Sequence, residues 1–187
     1  MSPEVLLPRF NRLSAHRRGH SLRVANVMVE LAKTHGLDPV AAHLAGWGHD
    51  LARELSRAEL LAEAERCGIA IDIWEQKEPL LLHGPIASCW LRSHKVGDNR
   101  VYQAIDYHTT GGANLGKLAK ALFIADGIEP GRNFAAREHI WRTAFISLDQ
   151  GFQELLHETL AYLAQRQLTP HPNMMAAIDE AAQGGQP

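Results

Sequence analysis

Apolar side chains recur at helical spacing along nearly the whole chain, and this periodicity limits the possible folds more than any other feature. In the first such segment, His20, Val24, Val27 and Leu31 lie at positions i, i+4, i+7 and i+11, which form one stripe of an α-helix. The sequence shows no convincing series of alternating strand patterns. It therefore predicts an all-α fold, a bundle of helices.

Helix start and stop signals divide the chain into short helices joined by loops. Asp38 and Pro39 are typical of an N-cap and first-turn residue, and the helix that they begin is expected to continue to about residue 54. His49 and Asp50 would then lie in the middle of an apolar helix. Further helices are predicted to begin near residues 56, 85, 98 and 114, with two or three more between 135 and 182.

The length and composition favour one globular domain. A chain of 187 residues with 45% hydrophobic side chains can bury a single core, which we expect to span about residues 16–175 of a domain covering 1–187. The Gly/Gln/Pro-rich tail, about residues 183–187, is expected to be frayed. The formal charge of -2 gives no overall attraction to nucleic acid or to an anionic membrane, so any phosphate binding must be local.

The cysteines and the hydropathy pattern favour a cytoplasmic protein. Cys67 and Cys89 occur singly in helical patterns, without CxxC spacing, and are interpreted as small buried hydrophobic residues in a reducing compartment. The sequence shows no apolar run near the roughly 18 residues that a membrane span needs, and no secretory signal pattern. No membrane partner is expected.

Imidazoles and carboxylates occur on the apolar faces of several predicted helices. Because these groups are costly to bury without partners, they are expected to converge on a common one. The set comprises His20, His49, Asp50, His83, His108 and Asp126. Such ligands suit iron, manganese, zinc or nickel, whereas calcium and magnesium sites use oxygen ligands almost exclusively. Each residue alone is also compatible with an ordinary core histidine or a capping aspartate.

The order H…HD…H…H…D resembles that of the HD-domain metal-dependent phosphohydrolases. The segments LLHGPIA, YHTTGG and IADGIEPGRNF are similar, more narrowly, to the YqeK family of HD-domain symmetrical diadenosine tetraphosphate hydrolases. The likeness covers about residues 16–175. One departure is Arg53 in HDLARE, where those relatives usually have lysine. An arginine cannot readily release a proton, so a proton-transfer role at this position is in doubt.

The resemblance implies two divalent cations, with iron as the metal associated with the family and manganese or another transition metal also compatible. One cation would be bound by His20, His49, Asp50 and Asp126, and the other by Asp50, His83 and His108. Asp50 would bridge the two. Two cations about 3.5 to 4 Å apart lower the pKa of a shared water towards neutrality and so generate a hydroxide nucleophile.

Contacts to the substrate are less clear in the sequence. Arg132 is the best candidate for a bidentate phosphate contact and for a catalytic role beside Asp50, although it is also compatible with a surface loop. Thr109, Thr110 and Gly111 follow the candidate ligand His108 and would contact phosphate oxygens, or else form a plain turn. Arg53 completes the predicted substrate-binding set.

The function that the resemblance implies is symmetrical hydrolysis of diadenosine tetraphosphate to two ADP. One alternative is a phosphatase or phosphodiesterase that acts on mononucleotides or RNA ends. The near-neutral composition, however, does not indicate the basic surface that binds a nucleic-acid strand. A second alternative is a non-catalytic regulatory domain stabilised by metal. A homodimer is left open.

Overall fold

Residues 3–184 of the computed structural model are described, and their regular secondary structure is entirely helical. The all-α prediction is confirmed. Short 3₁₀ helices at Pro3–Leu6 and Pro79–Leu82 accompany the α-helices. The α-helices are α1 (Leu7–Arg12), α2 (Ala15–His35), α3 (Pro39–Gly48), α4 (Arg57–Arg66), α5 (Ile73–Lys77), α6 (His83–Ser93), α7 (Asn99–Tyr107), α8 (Lys117–Ile128), α9 (Arg137–Ile146), α10 (Leu148–Gln165) and α11 (Pro172–Gly184).

The capping signals are where the sequence predicts them. The Asp38 carboxylate accepts hydrogen bonds from the backbone N–H groups of residues 40 and 41, with Pro39 in the first turn of α3. Ser56 and Glu59 form a complete capping box at the start of α4. These side chains satisfy backbone donors that the first turn of a helix leaves unpaired. Three helices, α9 to α11, occupy the region where two or three were expected.

The core is built around α8, which packs against α2, α3, α7, α9 and α10. Helices α2 and α3 lie especially close together because Gly46 has no side chain. A Cβ atom at position 46 would stand 2.6 Å from the Cα atom of Ala25. Leu6 and Phe10 are also buried in this core, so the packed part of the chain begins before residue 16.

Helix α3 ends earlier than the periodicity predicts. It stops at Gly48, so His49 and Asp50 lie at its C-terminal end and not in its middle. The next residues form tight turns with i→i−3 hydrogen bonds, such as the bond from the Arg53 N–H to the Asp50 carbonyl at 2.9 Å. The apolar pattern hides this end because Leu51 and Ala52 are buried as well.

The expectation of two unpaired cysteines is wrong. Cys67, which caps the C-terminal end of α4, forms a disulfide with Cys89 in α6. The pairing follows from the packing of α4 against α6, and no local spacing in the sequence signals it. Disulfides are uncommon in the cytoplasm, so the cysteines no longer support a reducing compartment.

Among residues 3–184 no helix is long and apolar enough to cross a membrane. The last helix extends to Gly184, so the tail predicted to be frayed is helical at its first two positions. The rest of that tail, residues 185–187, lies outside the described part of the chain.

Candidate metal centre

Six polar side chains from five segments meet at one place in the helical core. Five of them are almost completely buried, and Asp126 is partly exposed. They come from α2 (His20), the end of α3 (His49 and Asp50), the start of α6 (His83), the end of α7 (His108) and α8 (Asp126). The six side chains therefore converge as the sequence predicts.

Asp50 lies at the centre of the group. One of its carboxylate oxygens, Oδ1, is 3.2 Å from Nε2 of His83, and the other, Oδ2, is 3.6 Å from Nε2 of His20. The Nε2 atom of His49 is 3.5 Å from the same Oδ2. Because its two oxygens face different histidines, this carboxylate is placed to contact two cations at once.

His83 and His108 form the opposite side of the group, with their Nε2 atoms 2.9 Å apart. Gly84 makes this close approach of α6 and α7 achievable. A Cβ atom at position 84 would stand 2.6 Å from the Ile105 carbonyl oxygen and 3.0 Å from the ring of His108. The glycine in the segment HGP thus allows the two helices to bring their histidines together.

All four histidine rings use Nδ1 for a hydrogen bond to the protein. In three of them the Nδ1–H donates to the backbone carbonyl three residues earlier, at 2.5 to 2.7 Å: His49 to Gly46, His83 to Leu80 and His108 to Ile105. His20 directs Nδ1 to the carboxylate of Glu129 at 3.1 Å. Each ring therefore presents Nε2 to the centre, as in metal sites whose histidines are oriented by a second hydrogen bond.

The donor set fits a divalent transition metal. Among the described residues the buried Nε2 atom of His49 has no hydrogen-bond partner, which is costly unless a cation occupies the centre. The Nε2 atom of His20 faces the carboxylate of Asp126 at 3.0 Å. Ligand atoms lie within 4.8 Å of one another in three groups: His20, His49 and Asp50; His49, His108 and Asp126; and Asp50, His83 and His108. Mixed imidazole and carboxylate ligands favour transition metals over calcium or magnesium.

The electrostatic environment favours the protonation states that metal ligands need. Burial lowers the pKa of His108 to about 3 and also lowers that of His49. Burial alone would raise the pKa of Asp50, but the nearby imidazoles, His49 first, hold it well below its ordinary value. His49 and His108 are therefore neutral and Asp50 is ionised at neutral pH, so no proton has to leave these three groups when a cation binds. His20 differs, because burial lowers its pKa but the carboxylates of Asp126 and Glu129 raise it above its ordinary value.

Glu129 is a buried residue of this site that the sequence pattern did not reveal. Its carboxylate contacts His20, and it accepts hydrogen bonds from Arg23 Nε at 2.6 Å and from the Gly131 N–H at 2.5 Å. Burial would raise the pKa of Glu129, but the bonds from Arg23 and Gly131 lower it to about 2. An anionic Glu129 thus holds the His20 ring in place.

We expect Glu129→Gln to weaken metal binding by about 10- to 100-fold, the usual effect of losing such an outer hydrogen bond. The amide keeps the size of the side chain but loses the charge, and its NH₂ group would face donors from Arg23 and Gly131. Titration of the metal-free protein with Mn²⁺ measures the change. Glu138→Gln, at an exposed position on α9, is the matched control. Equal affinities for the two variants would contradict the role given to Glu129.

Arg17 is a second residue that the sequence pattern did not reveal. It lies one helical turn before His20, and its Nη1 atom donates to Asp50 Oδ2 at 2.7 Å. The spacing of three residues between Arg17 and His20 on one helix is the signal that would have found it, since such residues share a face.

A cavity of about 390 Å³ opens onto four of the six residues, Asp50, His83, His108 and Asp126, and we call it the catalytic cavity. Three arginines, Arg17, Arg53 and Arg132, line it together with Thr109. Thr109 Oγ1 is 3.2 Å from the Nε2 atom of His108. The cavity is therefore lined by three arginines and three carboxylates, Asp50, Glu78 and Asp126, so divalent cations bound at the cluster would make it positively charged and suited to an anionic substrate.

The other two residues of the predicted phosphate-binding turn lie elsewhere. Thr110 is buried on the far side of α7, where its hydroxyl donates to the Gly111 carbonyl at 3.0 Å. Gly111 is buried with φ +64° and faces Leu156. Of this turn, only Thr109 lines the catalytic cavity, because the turn directs its next two residues away from the metal centre.

Arg132 is engaged with a candidate metal ligand. Its Nη2 atom donates to Asp126 Oδ1 at 2.7 Å, and its Nε donates to the backbone carbonyl of Asp126 at 2.9 Å. The side chain is nevertheless 43% exposed and lines the cavity. Arg132 can therefore both orient Asp126 and contact a ligand in the cavity.

Comparison with known proteins gives consistent matches. A sequence model of the HD domain family matches residues 17–131. The chain is 31% identical over 169 residues to a symmetrical bis(5'-nucleosyl)-tetraphosphatase of Halalkalibacterium halodurans, covering 90% of both proteins. It is 33% identical over 162 residues to a protein of the same description from Staphylococcus aureus, covering 84% of this chain and 82% of the relative.

The fold has a close match among solved structures. The crystal structure of a predicted HD superfamily hydrolase involved in NAD metabolism from Clostridium acetobutylicum superposes with a TM-score of 0.92. The two chains are 27% identical, and the superposition covers 98% of each. The likeness thus includes the helices on both sides of the metal centre.

Proposed function

The chain belongs to the HD domain family and is an HD-superfamily hydrolase, and from this premise we propose that it cleaves diadenosine tetraphosphate symmetrically to two ADP. The observation that carries the proposal is the cluster of four imidazoles and two carboxylates, four of which line a cavity that also presents three arginines. In the reaction, the oxygen of a water molecule bonds to one of the two central phosphorus atoms. The P–O bond to the other half breaks, and ADP leaves.

We propose the ligand sets that the family resemblance implies. His20, His49, Asp50 and Asp126 would hold one cation, and Asp50, His83 and His108 would hold a second, with iron as the expected metal. When bound, two such cations supply an activated water and share the charge of the attacked phosphoryl group. The buried Nε2 atom of His49, which has no hydrogen-bond partner among the described residues, supports this assignment.

The chain's own residues would bind and orient the phosphate chain. Arg17, Arg53 and Arg132 each present a guanidinium to the catalytic cavity, and a guanidinium can donate two parallel hydrogen bonds to phosphate oxygens. The Thr109 hydroxyl, which lies 3.2 Å from Nε2 of His108, would donate to a phosphate oxygen. These charges stabilise the leaving ADP, whose terminal phosphate gains negative charge as the bond breaks.

Several finer features are also proposed. We infer a single domain over residues 1–187. A cytoplasmic location is proposed because the proposed substrate is a nucleotide and the relatives are described as nucleotide-cleaving enzymes, although the cysteines do not support it. A homodimer is a further proposal, for sedimentation analysis. Thr110 and Gly111, although buried away from the cavity, would act only by shaping the turn that carries Thr109.

The proposal is tested by identifying products. Purified protein loaded with Fe²⁺ or Mn²⁺ is incubated with diadenosine tetraphosphate, and the nucleotides are separated by chromatography. We expect ADP as the only product, and a chelator should abolish its release. ATP with AMP would indicate asymmetric cleavage, whereas activity confined to mononucleotides or RNA ends would favour a different phosphohydrolase. Absence of turnover with every substrate, despite bound metal, would favour a regulatory domain.

A further inference from the structure

A second cavity of about 640 Å³ adjoins the catalytic cavity beyond Arg132, and we call it the outer cavity. It lies between the loop after α8 and the exposed side of α10. The two cavities are adjacent, and four residues line both: Gly127, Arg132, Leu155 and Thr159. A ligand bound at the metal centre can therefore extend past Arg132 without leaving the protein surface.

The charge changes between the two cavities. Three arginines line the catalytic cavity, whereas Glu158 is the one charged residue of the outer cavity beyond the shared Arg132, among the described residues that line it. The lining of the outer cavity thus offers no further cation for a phosphate, so the phosphate chain of a ligand would end at Arg132. The part of the ligand that continues into the outer cavity must be uncharged.

The outer cavity also has the surfaces that a nucleoside needs. Phe134 is half-buried against the core, and Tyr162 is 51% exposed, with the Arg166 guanidinium 5.1 Å from the centre of its ring. Phe134 and the remaining surface of the Tyr162 ring offer aromatic carbon to a flat heterocycle. Gln165 and Glu158 add an amide and a carboxylate that can pair with the polar edge of a base or with ribose hydroxyls. Bases of any sequence stack on such aromatic rings.

A rival cavity of about 620 Å³ lies beside the Cys67–Cys89 disulfide, with Arg92, Asp106 and His171 in its wall. It shares only Leu81 with the catalytic cavity among the described lining residues. The outer cavity, with four shared residues, is the more direct continuation of the metal centre.

We propose that the outer cavity binds the nucleoside of one ADP half of the substrate, with its base against Phe134 and Tyr162 and its phosphates directed to Arg132. The inference rests on the proposed function, because it assigns a place to the uncharged end of a dinucleoside polyphosphate. It makes Tyr162 a determinant of specificity for nucleotides over simple polyphosphates.

The test compares two ligands on the Mn²⁺-loaded enzyme by calorimetry. ADP has a nucleoside, and inorganic pyrophosphate does not. We expect Tyr162→Ala to raise the Kd for ADP by about 5- to 100-fold, from the loss of base stacking. The Kd for pyrophosphate should stay within about twofold of the original value, because no phosphate contact is removed. Tyr162→Phe keeps the ring and should retain ADP affinity.

Two further variants serve as controls. Leu168→Ala removes another exposed apolar side chain just after α10, outside the outer cavity, and should change neither Kd. His171→Ala probes the rival cavity. A selective loss of ADP binding in His171→Ala, with none in Tyr162→Ala, would indicate that the nucleoside binds in the rival cavity and would overturn the proposal. Equal effects of Tyr162→Ala on ADP and pyrophosphate would overturn it as well.

The result is separable from the proposed function. If Tyr162→Ala selectively weakens ADP but the original protein releases no ADP from diadenosine tetraphosphate, the subsite is correct and the substrate assignment fails. If diadenosine tetraphosphate is cleaved normally and Tyr162→Ala leaves ADP affinity unchanged, the proposed function holds and the subsite fails.

Discussion

Asp50→Ala is expected to lower hydrolysis by more than about 1000-fold and to remove more bound metal than His83→Ala does. Asp50 has both carboxylate oxygens directed at histidines, Oδ1 towards His83 and Oδ2 towards His20 and His49. Its loss would therefore remove a ligand from both proposed cations, whereas His83→Ala removes one ligand from one of them. Arg17 would also lose the partner of its guanidinium.

The measurement combines turnover of diadenosine tetraphosphate with metal analysis of each purified variant. Asp50→Asn is the size-matched companion, because an amide keeps the shape of the side chain but has only one oxygen and no charge. We expect it to retain some metal and very little activity. Normal turnover with full metal content in Asp50→Ala would show that the bridging assignment is wrong.

Arg132→Ala is expected to lower kcat/KM for diadenosine tetraphosphate by about 10- to 1000-fold, which corresponds to ~1.5–4 kcal/mol for a charge-assisted contact. The loss should be larger for this substrate than for para-nitrophenyl phosphate, which offers fewer phosphate oxygens. Arg132→Lys should recover only part of the activity, because an ammonium cannot make two parallel hydrogen bonds.

Metal analysis of the same variants separates the two contacts of Arg132. Its Nη2 atom bonds to Asp126, so a role limited to holding that ligand would appear as metal loss and as an equal decrease with both substrates. We expect most of the metal to remain, since Asp126 also lies 3.0 Å from Nε2 of His20. Unchanged kinetics with both substrates would show that Arg132 is a loop residue without a role in substrate binding.

The sequence predicts where the helices begin because capping interactions involve residues close together in the chain. The N-cap at Asp38 and the capping box of Ser56 and Glu59 act within three residues, so the sequence contains all that is needed. The six candidate ligands can also be recognised locally, because each is a polar residue on or beside the apolar face of a predicted helix. The early end of α3 was missed because the apolar pattern continues beyond it.

Interactions between distant segments could not be predicted in the same way. Glu129 and His20 are 109 positions apart, and only the packing of α2 against α8 brings them together. The disulfide between Cys67 and Cys89 likewise depends on how two helices meet. Thr110 and Gly111 follow Thr109 directly, but which of the three faces the cavity depends on the conformation of the turn.

The hydrogen bonds from His49, His83 and His108 to carbonyls three residues earlier have a consequence for metal loading. Each ring is oriented by its own helical turn, so the folding of that turn also aims its nitrogen. Docking of the helices then assembles a preorganised centre, and little side-chain entropy remains to be lost when a cation enters. Exchange of one metal for another would consequently leave the surrounding helices in place, and the choice of metal would depend on its supply in the cell.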